Sequence, residues 1–144
     1  KVSKIHVQGL FILGLPGESY DDCINTIKFA KSLPLDMAQF SILTPYPGSK
    51  IYDDLVASGE LDNGVRPNGE LDTDIWHRYS AYASYVEQDP IWVTPELSAD
   101  QLKKLQKMAL RKFYFRPKYF WSQLKRVKLK DISKVASIAK DTFF

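Results

Sequence analysis

The sequence has one cysteine, Cys23, among its 144 residues. A single thiol excludes an internal disulfide, and it excludes a metal or iron–sulfur site built from several thiolates of this chain. Long hydrophobic runs are also missing, because residues 9–17, the longest, supply only about half of the roughly 20 residues that a membrane-spanning helix needs. The first residue is lysine and no signal peptide precedes the first apolar run. We therefore expect an excised piece of a longer protein in a reducing, cytoplasmic setting.

Positive charge is scarce in the first 100 residues of the chain, and negative charge is scarce in the remaining 44. Residues 1–100 carry 7 Lys and Arg against 15 Asp and Glu, whereas residues 101–144 carry 13 against 2. This asymmetry allows a basic module that binds an anionic surface, either nucleic acid or membrane. The alternative, which the helical spacing favours, is that aromatic side chains of the basic part pack inward while its lysines are solvated.

The first third of the sequence predicts a strand, a helix and a second strand. Most of residues 5–13 are apolar, and some of these side chains are β-branched, which predicts a buried strand; residues 37–43 predict another. Between them Ser19 and Asp22 form a capping box, and Pro34 ends the helix. A βαβ unit of this length predicts an α/β fold with two parallel strands and a right-handed crossover. The apolar positions of the helix are Cys23, Ile24, Ile27, Phe29, Ala30 and Leu33.

The rest of the sequence predicts mainly helices and one long irregular connection. Residues 50–58 predict a short helix, residues 59–74 a loop, and residues 75–86, with an aromatic at every third position, a helix, a 3₁₀ helix or irregular packing. Residues 91–93 predict a short extended piece. Ser98 and Gln101 predict the cap of a long helix, and further helices are predicted to begin near Pro117 and Asp131. The apolar stripe of the long helix is Leu102, Leu105, Ala109, Leu110 and Phe113.

Two unusual loops follow the two predicted strands. The first is the glycine–proline turn at residues 13–18, and the second is the proline-rich loop at residues 44–49. Because the carboxyl ends of neighbouring parallel strands lie at the same edge of a sheet, where α/β folds bind ligands, we expect the two loops to form one site. The alternatives are a tight βα turn for the first loop and a stiff surface loop for the second.

These motifs resemble a known family. The segments GLFILGLPGESYDD and FSILTPYPGSKIYDDLVASGEL together resemble the late-barrel part of radical S-adenosylmethionine enzymes. The resemblance is closest to the branch with an N-terminal cobalamin-binding domain, which includes proteins like the anaerobic magnesium-protoporphyrin IX monomethyl ester oxidative cyclase. It is dense over residues 9–61 and continues loosely through LSADQLKKLQKMALRKFYFRPKYF.

The resemblance implies a fold and a cofactor. The fold is a partial TIM-like barrel, of which residues 1–60 supply about the fifth strand, its helix and the sixth strand. Residues 61–97 are then an irregular aromatic-rich connection, and residues 98–144 a basic helical extension. In the parent enzyme a CxxxCxxC loop holds a [4Fe–4S] cluster, and S-adenosylmethionine completes it to generate a 5'-deoxyadenosyl radical. The resemblance places Ile12 against the adenine of the cofactor. It places Gly14, Pro16 and Gly17 in the turn behind the adenine. The residues that it places along the adenosyl and substrate side are Thr44, Pro45, Tyr46, Pro47 and Gly48.

The sequence departs from the family because CxxxCxxC is absent. We therefore expect the chain by itself to bind no cluster and to be inactive, with Cys23 acting as a small buried hydrophobe and Glu18 as a structural acid in the first turn of the helix. His6 is expected to be a satisfied strand residue, and His77 a packing or surface residue. The expected partners are the rest of the parent polypeptide and its small-molecule substrate. Cobalamin and peripheral membrane contact are allowed, and nucleic acid is not expected. We also predict that the fragment exposes a strand edge through which it self-associates.

Overall fold

A computed structural model describes residues 5–79 and 89–116 of the protein. The described residues form a mixed α/β structure, as the sequence predicts. The elements are β1 (Gln8–Leu13), α1 (Tyr20–Ser32), β2 (Met37–Ile42), α2 (Lys50–Ser58), α3 (Thr73–His77) and α4 (Ala99–Tyr114).

The two strands pair in parallel, which confirms the prediction for the βαβ unit. The register places Gln8 beside Met37 and Leu13 beside Ile42. The strand predicted over residues 5–13 begins only at Gln8, because the Val7 amide donates to the Asp36 carboxylate rather than to a neighbouring strand. The prediction of a buried strand is also wrong for one of its faces. Along β1 exposed positions alternate with partly or fully buried ones, since the helices of the described residues pack against one face of the pair.

Helix α1 begins as the sequence predicts. The Ser19 hydroxyl accepts from the Asp22 amide, and the Asp22 carboxylate accepts from the Ser19 amide. Its buried face consists of Cys23, Ile27 and Ala30. Phe29 was predicted to belong to this face, but it is 59% exposed. The reason is geometric, because two residues after Ile27 a side chain lies on the opposite side of a helix.

Helix α4 closes the core over β2 and α1. Its capping box, Ser98 with Gln101, forms as predicted. The apolar stripe is buried through Leu102, Leu105, Ala109 and Phe113, whereas Leu110 is only partly buried. Ring contacts continue the packing: Phe11 stacks on Phe40 at 5.2 Å between centroids, and Phe113 meets Phe40 edge-on at 6.3 Å.

Helix α4 also satisfies backbone groups along the outer edge of β2. The buried Gln106 side chain donates to the Phe40 carbonyl at 2.7 Å. The Tyr114 hydroxyl donates to the Ala38 carbonyl at 2.9 Å and accepts from the Ala38 amide at 3.3 Å. A strand edge with unpaired amides and carbonyls is a site of unwanted pairing, and α4 pairs three of these groups here.

The connection after β2 has its own small core, formed by Leu43, Leu55, Leu61 and Trp92. Helix α2 has the predicted bounds, with Ser49 at its N-cap and Gly59, at φ 78°, ending it. The region predicted as an irregular loop contains an isolated antiparallel bridge between Val65 and Leu71, and α3 begins at Thr73, inside that region.

Some predictions lie outside the described residues. These are the continuation of the aromatic segment over residues 80–88 and the helices predicted near Pro117 and Asp131. The division of the chain at residues 60 and 97 stays a prediction. Within the described ranges, no helix is both long and apolar enough to cross a membrane.

Candidate functional site

One face of the two-stranded sheet is left open by the helices of residues 5–79 and 89–116. We call it the open face; its residues are Gln8, Leu10, Ile12, Met37, Gln39 and Ser41. Leu10 is 71% exposed and Ile12 is 48% exposed. Ile12 lies directly beside Ser41 in the register, at the carboxyl end of both strands. An apolar side chain beside a hydroxyl at that end is suited to contact a bound ligand.

The first predicted loop is a turn held together by Glu18. One oxygen of the Glu18 carboxylate accepts from the Gly14 amide at 2.6 Å and from the Leu15 amide at 2.9 Å. The Glu18 amide in turn donates to the Leu15 carbonyl at 2.9 Å. Glu18 was predicted to lie in the first turn of the helix, but it precedes the N-cap Ser19 and organises the loop instead. The amides of Gly14 and Leu15 are therefore engaged within the chain.

Gly14 links this turn to α4. Its φ is +81°, a left-handed conformation that glycine adopts without steric cost. A Cβ at this position would lie 2.9 Å from the Leu102 Cδ2 atom, so a larger residue would push against the first turn of α4. The glycine thus allows the turn and the helix to approach each other closely.

The second predicted loop lies next to the first. The Leu43 amide donates to the Leu13 carbonyl at 2.9 Å, which joins the two strand ends where the loops begin. The Ser49 hydroxyl donates to the Tyr46 carbonyl at 2.7 Å and accepts from the Tyr52 amide, so the same side chain closes the loop and caps α2. The structure therefore brings the two predicted loops to one edge of the sheet.

An aromatic cluster flanks the second loop. The Tyr79 ring lies 5.1 Å from Trp76, 6.0 Å from Tyr46 and 6.4 Å from Tyr52, measured between centroids. The Tyr79 hydroxyl is buried and has no hydrogen-bond partner among the described residues. Burial raises the pKa of Tyr79 to about 12, so its phenol is neutral at physiological pH. The periodic aromatics of the sequence indicated packing here, but they did not single out Tyr79.

Cys23 lies behind the turn and is fully enclosed. Desolvation by burial raises the pKa of the Cys23 thiol to about 11, and the nearby Gly14 amide lowers it by a smaller amount. Because the folded-state pKa lies above the ordinary value of 9.0, the neutral thiol favours the folded state below that pH, and this contribution is lost as the pH rises towards 11. The prediction of a small buried hydrophobe is confirmed.

This burial predicts slow chemical labelling of Cys23. At pH 8 we expect an aromatic disulfide reagent to modify the folded chain at least about 100-fold more slowly than the chain in denaturant, because only the exposed thiolate reacts. Absorbance of the released thiolate measures the rate, and Cys23 is the only thiol that can contribute. Labelling at comparable rates in the two conditions would contradict the buried position.

His6 lies away from this edge of the sheet. His6 was predicted to be a satisfied strand residue, but it lies before β1, with its Nδ1 3.9 Å from an Asp36 carboxylate oxygen and its side chain largely exposed. His77 lies in α3. Within the described part of the chain, no three His, Cys, Asp or Glu side chains lie close enough together to hold a metal ion.

The predicted site residues differ in their accessibility. Gly14 and Pro45 are buried, Thr44 is half-buried, and the exposed members of the two loops are Pro16, Gly17, Tyr46, Pro47 and Gly48. Sequence reasoning missed the role of Glu18 as an acceptor for the turn. Its signal was present, because a carboxylate four residues after Gly14 can reach back across a glycine–proline turn.

Two known proteins are similar in sequence to this chain. An uncharacterized methyltransferase of Pyrococcus horikoshii is 36% identical over 114 residues, which is 79% of this chain and 21% of that protein. The bacteriochlorophyllide d C-8(2)-methyltransferase of Chlorobaculum tepidum is 25% identical over 85 residues, which is 59% of this chain and 17% of that protein.

The comparisons with family models and with solved structures add no further relative. No model of a known protein family matches the chain, and no solved structure matches it. The chain spans about a fifth of the length of the curated relatives that it matches, and both of those relatives are named methyltransferases.

Proposed function

We propose that this chain is the late-barrel segment of a radical S-adenosylmethionine methyltransferase, and that it shapes the side of the barrel facing the adenosyl group and the substrate. The observation that carries the proposal is the open face, which presents the exposed apolar side chains of Leu10, Ile12 and Met37 and ends at the edge where both predicted loops meet. In a barrel, one face of each strand packs on helices and the other points to the interior. The open face has the character of an interior face whose remaining strands belong to the rest of the parent polypeptide.

The relatives support methyl transfer as the reaction of the parent. Both are named methyltransferases, and one is named for a bacteriochlorophyllide substrate. The proposal therefore favours a methyltransferase over the oxidative cyclase to which the sequence motifs were compared. The branch that the sequence resembles carries a cobalamin-binding domain. Under this proposal, cobalamin binds to another part of the parent.

The open face fits S-adenosylmethionine. Ile12 would contact the adenine, and the hydroxyls of Ser41 and Thr44 lie at the same end of the strands. Glu18 already occupies the amides of Gly14 and Leu15, so the first turn would contribute shape rather than free backbone donors. When bound, S-adenosylmethionine supplies the methyl or adenosyl group. The residues of this chain exclude water from it and orient it.

A [4Fe–4S] cluster does not fit the residues of this chain. Cluster ligands are thiolates, and Cys23 is enclosed with a pKa raised to about 11. Under the proposal, the cluster ligands lie elsewhere in the parent, and this chain supplies none of them.

The test compares the full-length parent with the 144-residue chain. After anaerobic reconstitution with iron and sulfide, the parent is expected to hold about four iron atoms for each such cluster and to cleave S-adenosylmethionine. The isolated chain is expected to retain no stoichiometric iron and to bind S-adenosylmethionine weakly or not at all in calorimetry.

A matched variant separates Cys23 from the cluster. The Cys23→Ala parent is expected to keep its full iron content, because the thiol is not a ligand. A parent that holds no iron and leaves S-adenosylmethionine intact would refute the proposal, and so would stoichiometric iron in the isolated chain.

A further inference from the structure

Helix α4 carries a line of cations on the side away from the core. Lys104, Lys107, Arg111 and Lys112 are exposed and, together with the half-buried Met108, they line a groove of about 420 Å³. We call these five residues the basic stripe. Because they recur three or four residues apart, they share one face of the helix over a length of about 12 Å.

The charges of the basic stripe are not compensated within the described residues. None of its four cations forms an ion pair or a side-chain hydrogen bond there. Other cations of the described chain do have partners: Lys50 pairs with Asp54, and Lys103, on the same helix, pairs with Asp89. Lys104 and Lys107, and likewise Lys107 and Arg111, are like charges at neighbouring positions on the helix surface, so their repulsion destabilises the helix until an anion approaches.

The stripe is held in a fixed orientation. The opposite side of α4 is anchored by four side chains with no solvent exposure, Leu102, Leu105, Ala109 and Phe113. Residues 101–116 contain six cations and no acid, and residues 117–144 add seven cations against two acids. A rigid helix therefore presents a continuous positive surface, and the sequence that follows has the same sign.

Apolar groups lie among these cations. Met108 lines the groove while part of its side chain packs against the core, and Phe115, which is 57% exposed, follows directly after α4. A nucleic-acid backbone would engage the cations but would offer nothing of matching chemistry to the methionine. A phospholipid offers both, since its phosphate lies directly above its acyl chains.

We propose that the basic stripe is a docking surface for an anionic phospholipid bilayer, on which the full-length protein is held peripherally. The lysines and the arginine contact lipid phosphates, while Met108 and Phe115 contact the apolar boundary below them. This proposal is independent of the methyltransferase assignment, because it uses no residue of the open face or of the two loops.

The test measures cosedimentation of the 144-residue chain with lipid vesicles. We expect binding to phosphatidylcholine vesicles that contain phosphatidylglycerol, weakening as salt is raised, and little binding to pure phosphatidylcholine. The variant K104E/K107E is expected to bind the anionic vesicles at least about tenfold more weakly.

A matched control changes the same charge elsewhere. The variant K28E/K31E replaces two exposed lysines with the same spacing on α1. Its affinity for the anionic vesicles should stay within about threefold of that of the unsubstituted 144-residue chain. Circular dichroism verifies that each variant is folded. If charge reversal impairs folding, the neutral variant K104Q/K107Q replaces it, and this variant should bind the anionic vesicles severalfold more weakly than the unsubstituted chain. Equal losses in the two reversed variants, equal binding to neutral vesicles, or tighter binding to a duplex oligonucleotide would each overturn the proposal.

Discussion

Replacing Ile12 with aspartate in the full-length parent is expected to reduce the cleavage of S-adenosylmethionine by at least about 100-fold. Ile12 lies on the open face at the carboxyl end of β1, beside Ser41. Under the proposed function, a carboxylate there would be buried against the adenine without a partner, at a cost of several kcal/mol. The measurement is the rate at which 5'-deoxyadenosine forms, with iron content determined in the same preparation.

Two matched variants make this result specific. Ile12→Val keeps an apolar contact and is expected to retain most of the activity. Leu10→Asp places the same charge on the same face, but two residues farther from the carboxyl edge, so its effect on cleavage should be much smaller. If Leu10→Asp and Ile12→Asp lose activity equally, the loss reflects damage to the barrel and not a contact with the adenosyl group.

Replacing Phe113 with alanine is expected to destabilise the folded chain by about 3–5 kcal/mol. Phe113 is fully buried between α4 and the sheet, with its ring edge against Phe40 and the Arg116 guanidinium 3.8 Å from its centroid. Truncation removes these contacts and leaves a cavity, because the helix is anchored on both sides of the site. The free energy of unfolding in urea, followed by circular dichroism, measures the effect.

Phe115 provides the control for this experiment. It lies two residues farther along the chain, but most of its surface is exposed. Phe115→Ala should therefore change the free energy of unfolding by less than about 1 kcal/mol. Similar losses in the two variants would contradict the packing of α4 described above.

The sequence predicts that the isolated chain self-associates through the edge of its first strand, β1. In the described part of the chain the sheet has only two strands, so β1 pairs on one side, and α4 covers the outer edge of β2 instead. Self-association of the isolated chain through β1 stays a prediction. Under the proposed function this edge belongs to the preceding strand of the parent.

Local features of the structure could be predicted from the sequence alone. The caps of α1, α2 and α4, at Ser19, Ser49 and Ser98, depend on groups within three residues of each other. The bounds of α2 and the parallel pairing of β1 with β2 also follow from short-range turn chemistry and from the length of the connection. The meeting of the two loops at one edge then follows from parallel pairing.

Other features were decided only by the tertiary structure. Gln106 and Phe40 are 66 residues apart, and Tyr114 and Ala38 are 76 apart, yet each pair is joined by a hydrogen bond that covers the edge of β2. Nothing local to Gln106 distinguishes it from a solvated helix residue, because its burial depends on where α4 docks. The same holds for β1, in which Leu13 is buried and Ile12 is not. An apolar run specifies that a strand forms, but which of its faces is covered depends on the elements that pack against it.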